Sequence, residues 1–100
     1  MTNQGNGLIY EVRLSQQIKQ KIIDLHQQAI HEGEGQRFLD SLRAIHNRLR
    51  QDPTNFGEPL YRLPALKLLV YQVVVSRIAV HYGVHQEKPL VFLKGVQLLG

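Results

Sequence analysis

Cysteine and tryptophan are missing from this 100-residue chain, and methionine occurs once. Without a thiol there is no disulfide framework, no thiolate metal site and no cysteine nucleophile, which fits a reducing compartment. Long apolar runs are missing as well. Within the apolar final third, the stretch free of charge from Leu68 to Ser76 falls well short of the roughly 20 residues that a membrane-spanning helix needs. Met1 to Gly7 is polar and glycine-containing, with neither the basic start nor the apolar segment of a secretory signal. A cytoplasmic protein with no membrane partner is expected, with a flexible segment at 1–7 followed by a single domain at 8–100. Acidic residues are the scarcer charge, 8 against 12 lysines and arginines, giving a net charge of +4 and a pI near 9.7. That balance favours an acidic partner such as nucleic acid or an acidic protein segment, although a charge of this size also serves solubility alone.

What is present is apolar material in two different periods. An apolar content of 43% is enough for one modest core and argues against disorder. From Arg77 to His85, the residues Ile78, Val80, Tyr82 and Val84 alternate with Arg77, Ala79, His81, Gly83 and His85. Successive side chains of a strand point to opposite faces, so the first set should meet a core while Arg77, His81 and His85 line the other surface. Leu66 to Val75 and Leu90 to Leu99 are apolar at both parities and read as neighbouring strands. A tight turn near Ser76 separates the first pair, and a hairpin ending in Pro89 separates the second. Leu8 to Leu14 alternates too, and gives a first strand.

Between the first strand and the last three lie two helical periods. Ser15 offers an N-cap oxygen to a helix starting at Gln16, in which Ile18, Ile22, Leu25 and Ala29 recur at helical spacing. Gly33 and Gly35 mark a short turn. A second helix follows with a stripe of Phe38, Leu42, Ile45 and Leu49, flanked by Leu39, and Asp52-Pro53 stops it. Pro53 to Pro64, with three prolines, reads as a turn-rich connection. The expected fold is therefore α+β with the order βααβββ: two N-terminal helices packed on one face of a small, mainly antiparallel four-stranded sheet.

The candidate chemistry is sparse. His81 and His85 are four residues apart on a strand, about 13 Å, too far to share one ion. His26 and His31 do not face together on their helix, and His46 reads as a boundary side chain, so no metal site and no cofactor is expected. Gly33-Glu34-Gly35 follows no strand and lacks the lysine of a phosphate loop. Arg37, Arg43, Arg48 and Arg50 fall largely outside the apolar stripe of the second helix. They form either a solvated face or a surface for a phosphate backbone or an acidic protein.

The element order, the approach Gly57-Glu58-Pro59-Leu60-Tyr61-Arg62-Leu63, the strand Ser76-Arg77-Ile78-Ala79-Val80-His81-Tyr82 and the final Leu90-Val91-Phe92-Leu93 resemble the RelE/ParE toxins of bacterial toxin–antitoxin pairs. The resemblance covers Tyr10 to Leu98. It implies a plasmid-stabilisation type of toxin that inhibits growth, with an acidic antitoxin as partner and the ribosome and its mRNA, or DNA gyrase, as target. Arg77 matches the family's arginine at the start of its third strand, and Lys67 lies near its basic second-strand positions. With His81 as a proton-transfer group, Arg77 and Lys67 would make up the catalytic set of a ribosome-dependent, metal-independent mRNA endonuclease. Arg62, Lys67, Arg77, His81, His85 and Lys94 are the candidate residues for binding RNA or a partner. Leu98, Leu99 and Gly100 stand where the nucleases carry a basic residue and a catalytic tail, and Leu68 and Val70 where further lysines would stand. The expectation is therefore a toxin-like protein that acts by binding. The mRNA endonuclease is one alternative, and a non-toxic interaction protein with the same fold is another. The apolar ending Val96 to Leu99 suggests an edge that a homodimer or a peptide strand would cover.

Overall fold

A computed structural model describes residues 8–100; the expectation for the segment 1–7 lies outside the described residues. The elements in chain order are β1 (Glu11–Leu14), α1 (Gln16–His31), α2 (Gly35–Gln51), β2 (Glu58–Leu63), β3 (Leu68–Val75), β4 (Ile78–His85) and β5 (Leu90–Leu98). The fold is α+β with two helices, and its sheet has five strands in the order β1-β5-β4-β3-β2. Two parts of the expected architecture are corrected. β2 is an additional strand inside the supposed connection, and β1 runs parallel to β5, so the sheet is mixed rather than a four-stranded antiparallel layer. Pro59 hid β2 from the sequence. Proline cannot donate to a ladder, but β2 is an edge strand with an irregular register between Pro59 and Tyr61, where that donor is not required. β1 covers β5 only from Leu90 to Leu93, so Val96 to Leu98 pair with β4 alone and keep an open edge on the other side.

The alternation of β4 places its side chains as expected. Ile78, Val80, Tyr82 and Val84 are all buried and share one cluster with Leu25 and Ala29 of α1, Phe38, Ile45 and Leu49 of α2, and Val91, Leu93 and Val96 of β5. Both helices therefore lie on one side of the sheet. Directly paired residues of antiparallel strands share a face, so the registers assign Tyr71 and Val73 of β3 to the helix side with Tyr82 and Val80. Leu68, Val70, Gln72 and Val74 go to the other side with His85, Gly83, His81 and Ala79. Leu68 and Val70 are buried yet stand apart from the helix-facing cluster. Their register partners on β2 are Leu63 and Tyr61, and the Leu68 side chain leans on the bare backbone of Gly83, where a Cβ would sit 3.1 Å from its Cδ1.

The helix ends follow from local chemistry. Ser15 Oγ accepts the Ile18 N–H at 3.1 Å and starts α1. At its far end Gly33 adopts φ 76°, its N–H donates to the Ile30 carbonyl at 3.0 Å, and the Glu34 N–H donates to the Ala29 carbonyl at 2.8 Å. This is the left-handed close that glycine favours after a helix. The connection after α2 is fastened to the core by Tyr82, whose hydroxyl donates to the Pro53 carbonyl at 2.7 Å and accepts from the Gly57 backbone. Burial pushes that phenol up to about 12.

Candidate functional site

The sheet face turned away from the helices is the candidate interface, and the strand registers assemble it from distant parts of the chain. His81 is exposed at the middle of β4. It faces Gln72 on β3 and Gly95 on β5, and the missing side chain of Gly95 leaves a gap beside it: a Cβ there would be 3.9 Å from His81 Cβ and Nδ1. Further toward the β1 edge, Arg13 pairs in register with Phe92 and places its guanidinium 5.9 Å from the centre of the Phe92 ring. The Arg13 Nε–H donates to Glu11 at 2.7 Å. That bond lowers the Glu11 carboxyl below its usual value and raises the arginine. Toward the other edge lies Tyr61 of β2, 49% exposed. A cation, two aromatic rings, an amide and an imidazole thus share one face, a combination suited to stacking and hydrogen bonding against a broad partner.

The structure does not bring the expected catalytic set together. Arg77 leaves the exposed face: it falls in the two-residue turn between β3 and β4, where strand alternation no longer dictates direction, and its guanidinium reaches the α1–α2 turn. Its Nη1–H groups donate to Glu32 and Glu34, each at 3.0 Å, and its Nε–H donates to the Leu99 carbonyl at 2.8 Å. These bonds hold Glu32 below the usual carboxylate range and raise the arginine. Arg77 is therefore a clamp between the helical turn, the β3–β4 turn and the end of β5. Lys67 sits at the opposite end of β3 in a left-handed conformation, φ 56°, and its Nζ donates to Glu87 at 3.0 Å. About eight residues of strand, on the order of 25 Å, separate it from Arg77, so the two cannot act on one phosphate.

The remaining candidates scatter. Arg62 pairs in register with Leu69 and belongs to the helix side of the β2 edge, not to the face that carries His81. His85 caps the β4–β5 hairpin: its Nδ1 accepts the backbone N–H groups of Glu87 and Lys88, both at 3.1 Å. Lys94 is exposed where the β4–β5 register slips between His81 and Tyr82. Comparison with family models, with curated proteins and with solved structures finds no match. Among the described residues, no group of three or more histidine, cysteine, aspartate or glutamate side chains is placed to hold a metal ion, and no helix is long and apolar enough to cross a membrane.

Sequence reasoning missed Arg13, Phe92, Gln72 and Tyr61 as members of this face. Glu11 and Arg13 already alternate against Tyr10, Val12 and Leu14 in the sequence, so the outward parity of Arg13 was legible. Its meeting with Phe92 was not, because that contact needs the first strand to lie beside the last.

Proposed function

We propose that the protein is a toxin-like binding protein of the RelE/ParE kind, which docks the helix-free face of its sheet on a large cellular target and is neutralised by an acidic antitoxin. The observation that carries this reading is the face itself: His81 stands exposed between Gln72 and the gap at Gly95, with the Arg13–Phe92 pair beside it. The dispersal of Arg77 and Lys67 into separate ion pairs favours inhibition by binding over cleavage, since cations held about 25 Å apart cannot stabilise one developing charge. The basic residues of α2 supply the attraction for an acidic antitoxin. Among the described residues, Arg37 and Arg50 make no ion pair, while Arg43 is held only by an exposed contact to Asp40 at 3.5 Å.

Inducible expression in a bacterium tests the reading, with growth, translation and DNA supercoiling followed together. Growth should stop and translation or supercoiling should change first. His81→Glu combined with Arg13→Glu should relieve the inhibition without unfolding the protein, because both side chains are solvent-facing. Normal growth at high levels of folded wild-type protein, or new mRNA ends created by the purified protein on ribosomes, would refute it.

A further inference from the structure

Three stretches of chain converge at the end of the sheet that carries the β4–β5 hairpin: Tyr10 just ahead of β1, Thr54 in the turn after α2, and the paired ends of β3 and β4. They enclose a pocket of about 220 Å3. Tyr10, Thr54, Tyr71 and Gln86 give it a polar wall, His85 borders it from the strand end, and no carboxylate lines it. Tyr71 is 5% exposed, and its ring is fixed by stacking on Tyr82 with centroids 5.3 Å apart. No hydrogen bond of the Tyr71 hydroxyl is found among the described residues. A buried hydroxyl left in that condition is an offer to a ligand or to ordered water. Arg62 stands on the strand beside the pocket, paired in register with the lining residue Leu69; burial raises the Tyr71 phenol above its ordinary value, with the neighbouring Tyr10 adding to the rise and Arg62 opposing it.

Every polar side chain of that wall can donate a hydrogen bond, no carboxylate lines the pocket, and the charge that bears on Tyr71 is the positive one of Arg62. The complementary ligand is an acceptor with several oxygens. A carboxylate presents two; a phosphate monoester presents three, which suits a wall with four donors. We infer that the pocket between Tyr10, Tyr71, Thr54 and Gln86 binds a small phosphate-bearing molecule, with Arg62, the register partner of Leu69 on the neighbouring strand, opposing the charge. Leu69 and Val84 give the compact organic part an apolar floor. The site belongs to the helix side of the sheet, so it stands or falls separately from the helix-free face.

Amide chemical shifts of the full chain, titrated with inorganic phosphate and with glycerol phosphate at constant ionic strength, test the inference. Saturable shifts should map to Tyr10, Thr54, Tyr71 and Gln86. Tyr71→Phe, which keeps the stacked ring, and Arg62→Gln should each weaken binding about tenfold or more, while Lys21→Gln on α1 should leave it unchanged. Tighter binding of the ester identifies an ester as the ligand, and equal or tighter binding of the free ion identifies phosphate itself. Shifts spread over the surface lysines and arginines without saturation would overturn the inference. So would equal binding of acetate at the same residues, or undiminished binding by Arg62→Gln, the variant that decides should Tyr71→Phe fail to fold.

Discussion

Removing one oxygen atom at Tyr82 gives the sharpest test of how the helical layer is joined to the sheet. The ring is wholly buried, stacked between Tyr71 and Phe56, and its hydroxyl bonds the Pro53 carbonyl at 2.7 Å while receiving the Gly57 N–H. Tyr82→Phe leaves the packing in place and deletes only the hydroxyl. The loss combines one hydrogen bond of about 1 kcal/mol with a Pro53 carbonyl and a Gly57 amide left in an environment with little water, so about 2–3 kcal/mol is expected at pH 7. For a domain of this size that corresponds to a fall in Tm on the order of 10–20 °C. Burial of the same hydroxyl makes a second, independent demand. The folded phenol ionises near 12 against an ordinary 10.0, so above pH 10 the unfolded chain gives up its proton while the native chain keeps it. Native stability from this group is thus complete below pH 10 and drains away as the pH rises to 12, by about 3 kcal/mol at roughly 1.36 kcal/mol per pH unit. Urea unfolding followed by circular dichroism at pH 7, 10 and 12 measures both. The gap between wild type and Tyr82→Phe should be widest at neutral pH and close toward pH 12. A difference below about 0.5 kcal/mol at pH 7, the range of an ordinary surface substitution, or a gap that does not change with pH, would refute the reasoning.

Arg77→Gln should release the α1–α2 turn and the end of β5 together; hydrogen exchange should speed at Glu32 to Gly35 and at Leu99 while the centre of β4 stays protected. Gly57→Ala should be strongly destabilising, since its Cβ would lie 2.5 Å from the Gln72 carbonyl oxygen and 2.8 Å from the Tyr82 hydroxyl, and a thermal melt checks it. His85→Ala should loosen only the hairpin, seen as faster exchange of the Glu87 and Lys88 amides. His81→Glu should shift stability by no more than about 0.5 kcal/mol while weakening inhibition of growth.

Period and parity were the legible parts of this fold. Ile78, Val80, Tyr82 and Val84 announced their shared burial, Ser15 announced the start of α1, and Gly33 announced its end, because each depends on interactions within a few residues. The face opposite the helices was legible through the same alternation, and His81 sits there as expected. Three things were not legible. β2 was masked by Pro59, whose missing donor counts against a strand until one knows that the strand lies at an edge. Arg77 is misread when alternation is carried one residue ahead of the start of β4 into the preceding turn, where the carboxylates of Glu32 and Glu34 decide its direction. The convergence of Tyr10 with Tyr71 and of Arg13 with Phe92 depends on which strands are neighbours, and no local pattern records that.

The pairing of Glu11–Leu14 with Leu90–Leu93 has a consequence for how the protein is made. The bond from the Glu11 N–H to the Pro89 carbonyl, 2.8 Å in the finished fold, has no acceptor until some eighty further residues have been synthesised. At about 5–20 residues per second, α1 and α2 wait several seconds on the ribosome with their apolar stripes uncovered before the last strand emerges to seat the first. A premature stop anywhere in β5 would therefore strand both ends of the molecule, so truncated products should be captured by chaperones or degraded rather than accumulate as smaller folded versions.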